Sequence, residues 1–210
     1  MVKTKGFYIV FEGIVGTGKS TQSKKLAQYL QGKFPKRKVV WTREPGGTEI
    51  ADAVRKLAQA TKFEEEMDPI CEAYLYAASR AQALRKVVQP ILAEGGIVVS
   101  DRSFITSLAY QGYGRGLGIE KVLEVNRVAI EAYNPNLIIF LALEPGISLG
   151  RSFDKEGDKW ESQTEAFFQK AIRGYKKISR MARFKKIWLE VKAGTSIEEV
   201  FGLIIKKIGH

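Results

Sequence analysis

The stretch Gly13-Ile-Val-Gly-Thr-Gly18-Lys19-Ser20 carries glycine, lysine and serine in the spacing G-x-x-x-x-G-K-S. These residue types at this spacing can hold a polyphosphate. Glycines let the backbone wrap an anion, and N–H groups at the start of the following helix point into the loop. Lys19 can bridge the β- and γ-phosphates, and Ser20 can ligate Mg²⁺. Composition alone would produce such a match in roughly 1% of chains. Here it lies between the apolar run GFYIVF and a helical pattern, as a P-loop requires.

Four further groups could do related chemistry. Val99-Ser100-Asp101-Arg102 ends an apolar run, where a carboxylate can face a metal held by Ser20. Thr42-Arg43-Glu44-Pro45-Gly46-Gly47-Thr48 follows another, and an arginine there can fork onto a phosphate. Tyr76 and Arg80 stand four apart on one helix face, so an aromatic plane and a guanidinium could meet a base together. Ser107-Leu-Ala-Tyr110-Gln111-Gly112-Tyr-Gly-Arg115-Gly116 runs from a helical pattern into a glycine-rich loop.

The elements that must position these groups alternate. Apolar runs at 6–11, 39–43, 97–100, 136–143 and 186–191 read as strands, with helical patterns between them. Asp68-Pro69 predicts an N-cap and a proline at the first helical position, opening a helix through about Ala93. Residues 103 to 133 read as mostly helical, and 146 to 183 as helix, polar turn, helix. Thr195-Ser196 with Glu198 and Glu199 predicts a capping box for the last helix. Strand–helix alternation means a parallel sheet covered on both faces. The expectation is one α/β domain over residues 1–210, with ligands at the carboxyl ends of the strands.

Composition narrows the function. The only histidine is His210, which argues against a Ser-His-Asp triad, an imidazole base or a histidine zinc site. Phosphoryl transfer fits, because positioning and electrostatics carry most of it. The net charge of +11 favours acidic partners such as nucleotides. Lys170 to Lys186 holds eight basic residues and no acid, which reads first as a solvated helix face, then as a general attraction for nucleotide phosphates, and only weakly as a nucleic-acid surface. The longest apolar run, LIIFLAL, is too short to span a membrane, and the apolar run in MVKTKGFYIVF is shorter than a signal peptide's h-region, so an unprocessed protein is expected. A single cysteine, Cys71, excludes an intramolecular disulfide and suits a reducing cytoplasm; its place in DPICEAYLYAASR predicts a buried side chain.

Taken together, FEG before the P-loop, KSTQ after it, REPGGT, YLYAASRAQ and DRS-x3-S-x2-YQG-x-GRG resemble the thymidylate (dTMP) kinases in order and spacing. The likeness spans essentially the whole chain. It implies a P-loop NTPase fold with a five-stranded parallel sheet flanked by helices, a short lid at about 151–161, Mg²⁺ as cofactor and a homodimer. ATP would place its phosphates along Gly13, Gly16, Thr17, Gly18, Lys19, Ser20 and Thr21, with Arg151 stacking on adenine. Mg²⁺ would sit near Ser20 and Asp101. Arg43 and Arg102 would hold the dTMP phosphate, Tyr76 would stack on thymine, and Arg80 and Ser107 would contact the base. Tyr110 would crowd the 2′ position, and Gln111 would pack over the nucleotide.

The resemblance is imperfect at three places. Val15 stands where the family has Asp or Glu near the acceptor's 3′-hydroxyl. Lys159, with Lys155 nearby, stands where bacterial members have a catalytic lid arginine. Ser103 replaces an aromatic residue or histidine. Lys19, Asp101, Arg102 and Lys159 are thus the expected catalytic set for transfer from MgATP to dTMP. A different monophosphate acceptor, or nucleotide binding with weak turnover, remains the alternative.

Overall fold

The structure is a computed structural model that describes residues 5–151, 160 and 163–209. Five parallel strands form one sheet in the order β2-β3-β1-β4-β5: β1 Phe7–Glu12, β2 Val39–Arg43, β3 Ile97–Asp101, β4 Leu137–Ala142 and β5 Trp188–Lys192. All five coincide with the apolar runs to within two residues.

Alternation along β1 explains the two-sided core. Tyr8 and Val10 face one side with Val98, Ile138 and Phe140. Ile9 and Phe11 face the other with Val99, Ile139 and Leu141. The second side is covered by α1 (Lys19–Lys33) and α10 (Ile197–Ile208), through Leu26, Leu30, Val200 and Ile204. The first is covered by α3 (Pro69–Ala83), α5 (Phe104–Ser107), α6 (Ile119–Ile130) and α8 (Glu165–Ile178). The same period of two puts Glu12, the last residue of β1, on the Tyr8 and Val10 side. Smaller helices complete the chain: α2 Glu49–Ala58, α4 Gln89–Ala93, α7 Pro145–Gly150 and α9 Ala182–Lys185.

Local rules set most helix starts. The Asp68 side chain accepts from Ile70 N at 2.8 Å with Pro69 behind it, and Ser196 with Glu199 forms the expected capping box. The long helix expected to Ala93 is not uniform. It widens to a π-turn at Leu84–Val88 before α4, because Pro90 brings no N–H and its ring crowds the carbonyl four residues earlier. A second π-helical stretch, Leu108–Gly114, replaces the expected plain helix and loop, and it turns Tyr110 and Gln111 inward. Cys71 is exposed, contrary to the sequence expectation. The buried face of α3 runs through Glu72, Ala73, Tyr76, Ala77, Arg80 and Ala83, which leaves position 71 outside it.

Candidate active site

The P-loop joins β1 to α1. Gly13 has φ +141, and a Cβ there would lie 2.8 Å from the Leu141 carbonyl oxygen, so only glycine fits. Gly18 caps α1 in the left-handed region, and beyond its chain neighbours no atom lies within 4 Å of the point a Cβ would occupy. That leaves open space at the helix N-terminus, where an anion can sit. Lys19 is buried, and its Nζ folds back onto Ile14 O and onto Thr17 Oγ1 at 3.1 Å. Ser20 and Thr21 are exposed at the rim.

Register explains the next contact. Phe11 of β1 pairs with Asp101 of β3, so the ends of the two strands lie side by side. Ser20 Oγ donates to Asp101 Oδ2. The other oxygen, Asp101 Oδ1, is buried with no hydrogen-bond partner. A hydroxyl and a carboxylate with an orphaned oxygen suit a hard cation. Among the described residues no cluster of three acidic, histidine or cysteine side chains forms a metal cage. So small a donor set is compatible with Mg²⁺, which takes one or two protein oxygens and fills its shell with phosphate and water.

Arg102 follows Asp101 and adopts φ 76, a left-handed conformation uncommon for a side chain of its size. Arg102 N donates to Phe11 O at 2.9 Å, and Ser100 Oγ donates to Arg102 O at 2.8 Å, which hold the turn. The turn sends the guanidinium back to the P-loop, where Nη1 donates to Gly13 O at 3.0 Å and Thr106 Oγ1 at 3.2 Å. Its flat face lies 5.3 Å from the Tyr110 ring centroid.

Arg102 also lines a pocket together with Val15, Tyr76, Arg80, Tyr110, Gln111 and Trp160, and with Glu44, Arg55 and Thr106. Its free volume is about 60 Å³. Pockets for small ligands run to several hundred Å³. The Trp160 indole is part of the lining. It donates from Nε1 to Tyr76 OH at 2.7 Å, lies 4.9 Å from the Tyr110 centroid and stacks at 5.6 Å on Phe167. Arg80, also buried, donates from Nε to Glu44 Oε2 at 2.6 Å, from Nη2 to Ser107 Oγ at 3.2 Å and from Nη1 to Asn126 Oδ1. Gln111 Nε2 donates to Glu72 Oε1 at 2.7 Å.

Two buried ionisable groups flank Gly13. Burial pulls the Lys19 ammonium down to about 7; Arg102 adds to the drop, while Asp101 and Glu12 oppose it. Burial pushes the Glu12 carboxyl up to about 7, against hydrogen bonds from Ser103 and Thr106 and the charge of Arg102. Both shifts have the same root, which is charge taken out of water beside the loop.

A glycine loop at a helix N-terminus, a Ser–Asp pair with an unsatisfied oxygen and an arginine between that loop and a second pocket would suit transfer of a phosphoryl group between two bound ligands. A family profile described as thymidylate kinase matches residues 11–204. The chain belongs to the thymidylate kinase family. It is 40% identical over 205 residues to the thymidylate kinase of Caldicellulosiruptor saccharolyticus, covering 97% of this chain and 96% of that one. It is 38% identical to the thymidylate kinase of Geobacillus thermodenitrificans, covering 93% and 86%. The crystal structure of thymidylate kinase from Ehrlichia chaffeensis aligns with a TM-score of 0.79 at 26% identity, over 97% of this chain and 99% of that one.

Among the residues that the thymidylate kinase resemblance singles out, the structure gathers Tyr76, Arg80, Arg102, Tyr110 and Gln111 around one pocket. Ser107 stands behind Arg80 rather than in the lining. Arg43 is half-exposed and pairs with Asp52 at 2.9 Å, away from that lining. Arg151 donates to Ala193 O at 3.2 Å and Gly194 O at 3.4 Å, on the far side of the P-loop. Lys155 and Lys159 lie outside the described residues. Glu12, Glu44, Asn126 and Trp160 join the site without a signal in the sequence. The FEG tripeptide and REPGGT contain the first two, but nothing local marks their carboxylates as buried.

Proposed function

We infer that the protein transfers the γ-phosphoryl of MgATP to dTMP, giving dTDP and ADP. The observation that carries this reading is the position of Arg102. One of its N–H groups meets the P-loop carbonyl of Gly13 while its side chain lines the neighbouring pocket. A cation there can serve both the donor's terminal phosphate and the acceptor's phosphate. No protein base is needed, since a phosphate oxygen of the acceptor is the nucleophile.

In this reading the loop Gly13–Thr21 binds the triphosphate, and Lys19 unfolds from Ile14 O to meet it. Ser20 and Asp101 would hold Mg²⁺, which when bound would supply charge neutralisation to the phosphates. Arg102 stabilises charge on the transferred group, and a lid lysine, Lys155 or Lys159, adds to it. Arg43 reaches the acceptor phosphate on leaving Asp52, and Arg151 faces the adenine. Tyr76 and Tyr110 enclose the thymine and deoxyribose, with Ser107 and Gln111 as polar neighbours. Arg80 has five N–H groups and uses three on protein, which leaves two for a base edge. Trp160 must shift for a nucleotide to enter, since 60 Å³ holds no nucleoside.

A homodimer completes the proposal. Helices α2, α3 and α6 pack in sequence and expose Ile50, Leu57, Tyr74 and Val128, the last at 68%. Such apolar exposure supports a second copy of the chain as partner. None of the helices described is long and apolar enough to cross a membrane.

The test is ADP release across a panel of monophosphates, with the phosphorylated product identified. dTMP is expected to be the best acceptor and dUMP weaker. An acceptor better than dTMP would support the reading that Val15, an apolar side chain in the pocket lining, has changed the selectivity.

A further inference from the structure

Glu12 is fully buried, and no arginine or lysine lies within ion-pair distance of it among the described residues. Three hydroxyls do touch it. Ser103 Oγ donates to Oε1 at 2.6 Å, Thr106 Oγ1 donates to Oε2 at 2.6 Å, and Tyr175 OH donates to Oε2 at 3.2 Å. Such an arrangement is expensive for a purely structural role, because a carboxylate in a dry interior is stabilised better by a cation or replaced by an apolar residue.

The direction of these bonds suggests what the carboxylate does. Above about pH 7, where Glu12 is ionised, its carboxylate only accepts, so it takes the hydrogens of Thr106 and Ser103. Thr106 Oγ1 is then left with lone pairs, and one of them receives the N–H of Arg102 Nη1 at 3.2 Å. The chain runs Arg102 to Thr106 to Glu12, each group donating to the next. Tyr175 brings α8 to the same point, and Ser103 caps α5 by accepting from Ile105 N at 3.2 Å. Arg102 is therefore gripped at two places, by the Gly13 carbonyl and by a hydroxyl whose rotor Glu12 sets.

We propose that Glu12 is a positioning residue: through the Thr106 hydroxyl it aims the Arg102 guanidinium at the space between the P-loop and the acceptor pocket. This rests on the dTMP kinase reading of the site. Glu12 touches neither nucleotide; it acts through Arg102.

Two substitutions separate positioning from packing. Thr106→Val keeps the shape and loses the hydroxyl, whereas Thr106→Ser keeps the hydroxyl. Hydrogen bonds to charged groups are worth enough that losing this one lowers kcat about ten- to a hundred-fold. Thr106→Val and Glu12→Gln should both show that loss, with KM for ATP unchanged, and Thr106→Ser should recover kcat to within about threefold of wild type. In an Arg102→Lys background, Thr106→Val should add little further loss, because the group it positions is gone. Where the valine variant does not fold, by circular dichroism and urea midpoint, Thr106→Ala gives the same comparison. A hydroxyl-less variant with wild-type kcat, or one whose loss recurs in full in the Arg102→Lys background, would overturn the proposal alone. A wild-type protein without dTMP-dependent turnover would instead overturn the reading of the site and the proposal with it.

Discussion

Glu44→Gln tests whether the acceptor pocket is built on a buried ion pair. Glu44 and Arg80 are each 3% exposed, with Nε and Oε2 2.6 Å apart. Burial raises the Glu44 carboxyl above its ordinary range, and the Arg80 charge pulls against that rise. Glutamine keeps the volume and one acceptor oxygen but leaves the guanidinium without a counter-charge. Breaking a buried pair in this way costs about 3–5 kcal/mol. The retained acceptor puts Glu44→Gln at the lower end, about 3 kcal/mol, or roughly 6–12 °C in Tm for a chain of this size. KM for dTMP should also rise about tenfold, since Arg80 loses the partner that aims its remaining N–H groups. Urea unfolding and steady-state kinetics measure the two effects. The double variant Arg80→Met with Glu44→Leu should be less destabilised than Arg80→Met alone, because no unpaired charge stays buried. It should still fail to bind dTMP. A Glu44→Gln protein within about 0.5 kcal/mol of wild type, or strictly additive single effects, would refute this reasoning.

Asp101→Asn should raise the Mg²⁺ concentration needed for half-maximal turnover by about 10–100-fold; an unchanged Mg²⁺ titration would show that Asp101 does not serve the metal. Val15→Asp should tighten dTMP binding by restoring a polar neighbour for the sugar, and calorimetry showing equal or weaker binding would mean that position 15 does not face it. Glu12→Gln should change the pH dependence of stability. The folded Glu12 carboxyl titrates near 7 against 4.5 when unperturbed, so between those values the folded state holds a proton that the unfolded chain has lost. Wild-type stability therefore falls as pH rises from about 4.5 through 7, by ~3 kcal/mol from this group. The glutamine variant lacks that slope and should gain on wild type between pH 5 and pH 8; a constant difference in urea midpoints would contradict the shift.

Much of the fold is legible in the sequence because its signals are local. The five strands are apolar runs, and the caps at Asp68 and Ser196 follow from neighbouring residues. The P-loop is legible for the same reason, since its chemistry lies within eight residues. The pairing of Ser20 with Asp101 needs only the parallel register of β1 and β3. The features that escape a sequence reading depend on distant partners. Glu12 meets Ser103, Thr106 and Tyr175 at separations of 91, 94 and 163 residues. The burial of Glu72 and Arg80 on α3, and the exposure of Cys71, reverse what polarity predicts. Their partners Glu44, Asn126 and Gln111 come from other elements, and tertiary pairing overrides a stripe read from apolar residues alone. Trp160 follows the same rule: its indole meets Tyr76 of α3 and Tyr110 of the π-helical stretch 108–114, both distant in sequence.

The most direct measurement of the central claim is initial-rate ADP formation by the wild-type protein with MgATP, with and without dTMP, alongside quantification of dTDP. The expected result is slow ADP formation alone, strong stimulation by dTMP, and dTDP formed in equal amount to the stimulated ADP. Tight ATP binding with no dTMP stimulation, or ADP release without dTDP, would contradict it.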